Sequence, residues 1–482
     1  MLASDNAILL VNPNQMQPPV APIALDYLAS ALKDCGHRVD LLDLCFSADT
    51  SADIRSYFSS NSVSVVAVTL RNTDDTSFAT RDFFLPYIRE LVNCLRECAD
   101  VPIVIGGSGF SVAPDAVLEF CGLDLGIWGE GEYALPLLVD RITKGEDYRD
   151  VPGLVYRGKQ DFHRNPPMYI DLIKTSAPHR DTVDNKCYYI EGGMGSVETK
   201  RGCPKKCIYC ADPLGKGSKL RLRSPSGVVD EIEALLGMGI EHIHICDSEF
   251  NYPYEHARSI CSEIIDKGLG SRLRWYAYCS PAPFDEELCR LFLQAGCVGV
   301  NFGVDSANDG MLLELGRDFT AEDIARTAEI CHRSGLVFMY DLLLGGPGET
   351  RDSLRETVES MKRMSPQRVG ASLGIRVYPK TKLAKKILQQ GPVESNPNLY
   401  GERDESFLAP VFYLSAKLGE DAAQYLEGLI SGDERFMFMS GGSSNTNSNY
   451  NYNANAVLVD AIRDGYRGAF WDILRRLGEK AG

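Results

Sequence analysis

Three closely spaced cysteines form the pattern with the clearest chemical meaning in this sequence. Cys203, Cys207 and Cys210 have the spacing CxxxCxxC within the segment ETKRGCPKKCIYCADP. Three thiolates on one tight loop can hold three irons of a cubic 4Fe–4S cluster and leave the fourth iron open. A structural zinc site needs a fourth ligand at a similar spacing, and no second CxxC or HxxxH follows. The spacing therefore favours an iron–sulfur cluster over zinc.

The total of fifteen cysteines in 482 residues points in the same direction. The opening residues have no basic segment before their apolar run, so we predict no signal peptide and a cytoplasmic protein. In such a chain, cysteines serve metal or redox chemistry or pack in the core. The cysteines outside the motif stand singly, as in HIHICD and QAGCVGV, and we interpret them as core residues.

Polar residues end several apolar runs downstream of the cysteines. The segments are HIHICDSEFN, VGVNFGVDSANDGMLLELGRDFT and GLVFMYDLLLGGPGET. Each acid, taken alone, is a solvated loop residue or a helix cap. In this order behind the CxxxCxxC motif, however, the stretch Val197–Leu383 resembles the radical S-adenosylmethionine (SAM) superfamily.

This resemblance implies a 4Fe–4S cluster on the three cysteines, with SAM bound to the open iron. It also implies SAM contacts at the polar positions that follow the strands. These positions are Asp247, Ser248, Glu249, Asp305, Arg317 and Asp341. The first three would meet the SAM amino group, Arg317 the carboxylate and Asp341 the ribose.

The elements that must position these residues alternate between strand and helix patterns. In the first half, runs such as NAILLVNPN, RVDLLDL, VSVVAVTL and VPIVIGG predict strands separated by helices. This alternation predicts an α/β fold with a doubly wound, Rossmann-like parallel sheet, and ligand loops at the carboxyl ends of its strands. A nicotinamide cofactor is not expected, because NPNQMQ follows the first strand where GxGxxG would be needed.

We divide the chain into four parts. Residues 1–150 form the Rossmann-like domain, and residues 151–195 are a polar linker that includes a small hairpin. The resemblance implies a partial (βα)6 barrel over residues 196–384, open on one side to admit a substrate. Residues 385–482 are a smaller, mostly helical capping or substrate region, in which the Ser/Asn/Gly-rich residues 440–456 predict a flexible loop.

The first domain resembles the cobalamin-binding domain of cobalamin-dependent radical SAM enzymes. The resemblance rests on ALKDCGHRVDLLDL, VIGGSGFSVAPDAVLEF and GIWGEGEYALPLL. It implies that cobalamin is a cofactor and that its contacts lie in the loops after the strands. The candidate residues are Asn12, Arg71, Gly106, Gly107, Ser108, Gly129, Glu130, Gly131 and Glu132.

The lower face of cobalt is not expected to carry a histidine. The sequence lacks the DxHxxG motif of many cobalamin domains, and His37 fits a turn better than a ligand position. Arg71 follows the third predicted strand, where its positive charge would disfavour a ligand and favour electron-rich cobalt. In this respect the chain resembles the tryptophan-methylating branch. A surface ion pair with Asp74 or Asp75 is the alternative.

Charge and hydropathy restrict the partners. The net charge of −16 predicts no general affinity for nucleic acid. The apolar runs are far shorter than the ~20 residues of a membrane span, so no membrane insertion is expected. The resemblance implies a one-electron donor such as flavodoxin or ferredoxin, and a peptide, protein or small-molecule substrate.

The resemblance implies a radical SAM C-methyltransferase. We expect it to methylate an unactivated carbon, of an amino-acid residue in a peptide or protein, through methylcobalamin and a 5′-deoxyadenosyl radical. Two alternatives stay open. One is a rearrangement or cyclisation without methylation, and the other is polar, non-radical methyl transfer to an aromatic carbon.

Overall fold

The computed structural model describes residues 7–174, 177–439 and 454–481. The predicted loop at 440–456 therefore lies almost wholly outside the described residues. No helix among the described residues is both long enough and apolar enough to cross a membrane.

The amino-terminal domain is built on one seven-stranded sheet. Its strands are β1 (Ala7–Asn12), β2 (Val39–Asp43), β3 (Val63–Thr69), β4 (Ile103–Gly106), β5 (Leu125–Ile127), β6 (Leu154–Arg157) and β7 (Phe162–Arg164). Its helices are α1 (Ile23–Asp34), α2 (Thr50–Ser60), α3 (Leu85–Cys98), α4 (Ser108–Val112), α5 (Pro114–Cys121) and α6 (Gly131–Lys144). The strand order is β2-β1-β3-β4-β5-β6-β7, and the first five strands are parallel.

Helices cover both faces of this sheet. Apolar residues of α1 and α6 pack on one face, and those of α2, α3 and α5 pack on the other. The predicted doubly wound α/β sheet is thus confirmed. The hairpin β6–β7 forms as expected, but β6 pairs antiparallel with β5. The hairpin therefore extends the first sheet, which corrects its interpretation as part of a linker.

The second domain carries the remaining strands and helices. Its strands are β8 (Gly195–Val197), β9 (Lys200–Arg201), β10 (Arg221–Leu222), β11 (His242–Ile245), β12 (Arg274–Cys279), β13 (Cys297–Asp305), β14 (Phe338–Leu344), β15 (Arg368–Leu373), β16 (Ile375–Arg376), β17 (Leu399–Gly401), β18 (Val411–Tyr413) and β19 (Phe436–Phe438). Its helices are α7 (Asn185–Gly192), α8 (Asp212–Lys216), α9 (Pro225–Gly237), α10 (Tyr254–Asp266), α11 (Glu286–Gln294), α12 (Asp309–Leu315), α13 (Ala321–Ser334), α14 (Arg351–Met364), α15 (Lys382–Gln390), α16 (Ala422–Ile430), α17 (Ala456–Arg463) and α18 (Phe470–Ala481). Short 3-10 helices lie at Leu44–Phe46, Leu269–Ser271, Val393–Ser395 and Ala416–Leu418.

Six parallel strands form the predicted partial barrel, and a seventh is added from the carboxyl-terminal region. The order is β8-β11-β12-β13-β14-β15-β19, so that β8 and β19 are the edges of an open sheet. The carboxyl-terminal region is less helical than expected, because β17 and β18 also form a small antiparallel sheet with β16.

Helices α17 and α18 close the lower end of the barrel. Trp471 packs edge-on against Tyr276 of β12 inside the barrel, and the Tyr276 hydroxyl donates to Asp472 at 2.8 Å. Met339 of β14 belongs to the same apolar cluster. These helices therefore form a floor, and the space above it faces the amino-terminal domain.

A buried network of ion pairs joins the two domains. The Arg180 side chain is 1% exposed and lies 2.5 Å from Glu231 of α9 and 3.5 Å from Asp26 of α1. The Tyr27 hydroxyl, also on α1, donates to Glu231 and accepts from Arg223. We call the group Asp26, Tyr27, Arg180, Arg223 and Glu231 the interdomain ion network.

Arg180→Met tests this network. The change should lower the free energy of unfolding by about 3–5 kcal/mol, because Asp26 and Glu231 lose a buried counter-charge. Urea denaturation measures the effect. Arg149→Met is the control, since Arg149 pairs with Asp147 at the exposed surface and its removal should change stability little. Equal urea midpoints for the two variants would show that Arg180 does not stabilise the assembly of the domains.

Candidate active site

The cysteine loop is closed at its base by two short strands. Arg201 and Lys200 of β9 pair antiparallel with Arg221 and Leu222 of β10, so that residues 202–220 form one loop. A Cβ atom at Gly202, which has a φ of +85°, would lie 2.2 Å from the carbonyl oxygen of Lys219. Glycine is therefore required at this crossing. The close approach of the loop's two ends fixes where the cysteines can lie.

The three cysteines of the loop are free and half-buried. Burial raises the pKa of all three thiols, that of Cys210 to about 12. The guanidinium of Arg317 approaches Cys207 Sγ at 3.0 Å and opposes this rise there. The thiols are thus protonated until iron displaces their protons.

The geometry of the loop suits a cluster with several irons. Among the described residues, no three His, Cys, Asp or Glu side chains converge as ligands of a single metal ion would. A cube takes each thiolate at a different corner, so its three ligands need not converge on one point. A half-buried set of three thiols is therefore a suitable donor set for a 4Fe–4S cluster.

Asp247 supports the cysteine loop from below. Its carboxylate accepts hydrogen bonds from the backbone and hydroxyl of Thr199, and it lies 3.2 Å from Lys200 Nζ. All three side chains are buried. Ser248 donates to Asp212 of α8 at 2.5 Å. Both residues, predicted as SAM contacts, are engaged within the protein.

Arg317 joins the cysteine loop to the ends of the strands. Its Nη2 lies 3.3 Å from Glu249, and its Nε lies 3.4 Å from Asp305. Asp305 has a left-handed φ of +62° beside a register shift between β13 and β14. This turn brings its carboxylate to the Tyr209 hydroxyl, which donates at 2.5 Å. The structure therefore brings Glu249, Asp305 and Arg317 together beside Cys207.

Three buried polar atoms in this region form no hydrogen bond in the described structure: Glu249 Oε2, Asn301 Oδ1 and Arg317 Nε, of which Arg317 Nε keeps only the ion pair with Asp305. Such an atom costs about 1–3 kcal/mol if it stays unpaired. Asn301 donates to Asp341 at 2.5 Å, and burial raises the pKa of Asp341 to about 7. The region is therefore prepared for a polar ligand.

A row of polar side chains above the barrel floor was missed by the sequence analysis. His244 of β11 packs edge-on against Tyr278 of β12, and Asn301 and Asp341 follow on β13 and β14. We call these four residues the polar layer. Burial lowers the pKa of His244 to about 4, so this imidazole is neutral. The alternation of polar and apolar residues in HIHIC and WYAYC was the signal that could have revealed the layer.

The glycine-containing loops of the first domain line one cavity of about 220 Å³ at the carboxyl edge of its sheet. The predicted residues that line it are Gly106, Gly107, Ser108, Gly129, Glu130, Gly131 and Glu132. A Cβ atom at Gly107, whose φ is +102°, would lie 2.6 Å from the Leu70 carbonyl oxygen. Gly215 and Lys216 of α8, just beyond the cysteine loop, line the same cavity. The cavity thus lies between the two domains.

Glu130 and Glu132 also bind the second domain. Arg201 lies 2.6 Å from Glu132, 2.6 Å from Glu198 and 3.4 Å from Glu130. Burial would raise the pKa of Glu132, but the Arg201 charge outweighs it and the pKa is lowered. These acids therefore attach the cavity to the strand that precedes the first cysteine.

Asn12 is engaged within the protein. It is buried, and its amide donates to Asp43 and to the Tyr188 hydroxyl, each at 2.9 Å. His37 lies at the turn after α1, 3.2 Å from Asp140, as a turn histidine would. Both side chains are therefore held by neighbours of the first domain or of α7.

Arg71 faces the second domain. Partial desolvation by the surrounding protein lowers the pKa of its guanidinium. Cys246 and Tyr278, at the ends of β11 and β12, lie close enough to oppose this effect. The alternative ion pair with Asp74 is not formed, because Arg376 binds Asp74 at 2.9 Å. Asp75 binds Thr80 and the backbone of Ser77. Ser108 holds the Arg71 carbonyl at 3.0 Å.

Comparison with known families agrees with these two sites. Residues 197–361 match the radical SAM superfamily, and residues 14–139 match the B12 binding domain. The curated tryptophan 2-C-methyltransferase of Streptomyces laurentii is 34% identical over 446 residues, which are 80% of this chain and 74% of that protein.

Two solved structures of TsrM, a radical SAM methyltransferase from Kitasatospora setae, are similar over 99% of both chains. One, with tryptophan and a SAM analogue bound, has a TM-score of 0.93 and 34% identity. The other, with cobalamin and a 4Fe–4S cluster bound, has a TM-score of 0.89 and 32% identity. The predicted cofactors, a 4Fe–4S cluster, SAM and cobalamin, agree with these matches. The chain therefore belongs to the cobalamin-dependent radical SAM methyltransferases.

Proposed function

We propose that this enzyme methylates a ring carbon of a free aromatic amino acid, tryptophan in the first instance, by polar transfer. The observation that carries the proposal is the match over 99% of both chains to the methyltransferase structure that contains tryptophan. Methylation of a peptide or protein residue through a radical is the alternative expected from the sequence. Polar transfer is favoured because an aromatic ring carbon is itself a nucleophile.

Arg71 supports the polar route. It projects between the domains from the loop after β3, and Ser108 fixes its backbone. A guanidinium is a permanent cation that offers no lone pair to cobalt. Bound cobalamin supplies a nucleophilic metal centre that takes a methyl group from SAM and passes it to a carbon. We propose that Arg71 lies against the lower face of cobalamin and keeps that face free of ligands.

The remaining residues of the site bind the two cofactors and position the substrate. The cavity of about 220 Å³ is smaller than usual ligand pockets of ~300–1,000 Å³, so we assign it to the nucleotide tail of cobalamin, with the corrin outside it. Arg317, Glu249 and Asp305 hold the polar end of SAM beside the cysteines. The polar layer positions the substrate, and the interdomain ion network holds the two binding regions together.

The products test this function directly. With tryptophan, SAM and a chemical reductant such as titanium(III) citrate, the enzyme should form methyltryptophan and S-adenosylhomocysteine without 5′-deoxyadenosine. The reason is that polar transfer needs no hydrogen abstraction. Chromatography with mass spectrometry measures all three. Equal amounts of 5′-deoxyadenosine and S-adenosylhomocysteine would instead indicate radical methylation. 5′-Deoxyadenosine without a methylated product would indicate cyclisation or rearrangement.

A triple change of Cys203, Cys207 and Cys210 to Ala tests the cluster assignment. It should abolish the visible iron–sulfur absorption and the bound iron, because no other thiol lies on this loop. Bound cobalamin should be retained, since its proposed residues lie elsewhere. The matched control changes Cys35, Cys98 and Cys187, none of which is buried, to Ala and should keep the cluster. A triple variant with full iron content would refute the assignment.

Electron paramagnetic resonance tests the proposed role of Arg71. The Co(II) form of the wild type should show no nitrogen superhyperfine splitting, because no imidazole faces the metal from below. Arg71→His provides the comparison, since an imidazole at this position can ligate cobalt and should introduce the splitting. Clear nitrogen splitting in the wild type would overturn the assignment.

A further inference from the structure

Four lysines lie beside the cysteine loop on the outer surface of the second domain. Lys206 lies within the loop between the first two cysteines, and Lys382, Lys385 and Lys386 lie on α15. All four residues are exposed. We call them the lysine patch.

Helix α15 is attached directly to the cysteine loop. The backbone amide of Leu383 donates to the Ile208 carbonyl oxygen at 2.8 Å, and Lys382 Nζ donates to the Lys206 carbonyl oxygen at 3.2 Å. The Ile208 amide in turn donates to the Leu315 carbonyl oxygen of α12 at 3.0 Å. The patch therefore lies directly beside the loop that carries the three cysteines.

The patch keeps uncompensated positive charge. Lys386 pairs with Glu314 of α12, and the neighbouring Lys205 pairs with Asp318 at 2.5 Å. Within the described residues, Lys206 and Lys385 have no acidic partner within ion-pair distance. The chain as a whole carries −16, so a positive area on its surface is a local exception.

Two exposed leucines lie on α12 and α15, the helices next to the cysteine loop. Leu313 of α12 is 81% exposed and Leu388 of α15 is 44% exposed. The Lys386–Glu314 pair connects these two helices. Apolar side chains bordered by lysines offer a partner both contact area and charge complementarity.

We propose that the lysine patch is the docking surface for an acidic, low-potential electron-transfer protein of the flavodoxin or ferredoxin class. The proposal rests on the proposed function, because the nucleophilic metal centre that polar transfer uses must be kept reduced by electrons that enter through the cluster on the three cysteines. In the step concerned, one electron leaves the reduced flavin or iron–sulfur centre of the donor and enters the cluster, with no bond made or broken.

Charge explains why such a patch is needed. An acidic donor and a chain of −16 repel each other over most of their surfaces, so productive encounters require a local positive area. Its position beside the cysteine loop directs the donor to the cluster through which the electron enters the protein. A nucleic acid would also bind lysines, but proximity to the cluster favours a redox partner.

The experiment measures binding of reduced flavodoxin to the full-length holoenzyme by biolayer interferometry at two salt concentrations. Lys206→Glu/Lys385→Glu should slow association about tenfold or more at low salt, and high salt should weaken the wild-type interaction. The control, Lys159→Glu/Lys417→Glu, changes the net charge equally at exposed lysines elsewhere and should associate much as the wild type does. A second variant, Leu313→Gln, should speed dissociation.

Turnover with two reductants separates this proposal from the proposed function. With titanium(III) citrate, Lys206→Glu/Lys385→Glu should match the wild type, because a small reductant needs no docking. With flavodoxin as the reductant, only the patch variant should lose activity. Unchanged flavodoxin association in the patch variant, or tighter binding of a DNA oligonucleotide than of flavodoxin by the wild type, would overturn the docking surface. If no methylated product forms with any reductant while the patch still governs flavodoxin binding, the proposed function fails and the docking surface stands.

Discussion

The position of the active site depends on buried charges that cross from one domain to the other. Arg201 immediately precedes the cysteine loop and is surrounded by Glu130, Glu132 and Glu198. Arg180 bridges Asp26 and Glu231 beside it. Burying so many charges is costly unless every partner is present, so these pairs specify one relative position of the domains more than they add stability. The cavity of the first domain and the cysteines of the second are thereby held at a constant separation.

The sequence predicted the architecture well where strong periodic patterns exist. Runs such as VSVVAVTL became β3 of the doubly wound sheet, and the CxxxCxxC motif became one closed loop. The glycines at 106, 107, 129 and 131 line one cavity as expected. These features depend on local residue type and order, and a sequence displays both directly.

Contacts between distant residues were harder to predict. Asp247 and Glu132 follow strands just as ligand-binding acids do, but in the folded chain Asp247 binds Lys200 and Glu132 binds Arg201. The hairpin at residues 154–164 looked like a linker, because antiparallel pairing with β5 has no local signature. His244 and Tyr278 stand on neighbouring strands but are two residues apart in register, so their alternation with apolar residues shows that each faces inward but not that they meet.

The floor beneath that layer is made by a separate stretch of chain. Tyr276 and Met339 meet Trp471 and Asp472 of the last helix, whereas the cysteine loop and the glycine loops lie at the opposite ends of their strands. The depth of the space above this floor is thus set by a different part of the chain from the cysteine loop and the glycine loops. Related enzymes can therefore evolve toward larger or smaller substrates through changes in the final thirty or so residues, while the inherited chemistry stays unchanged.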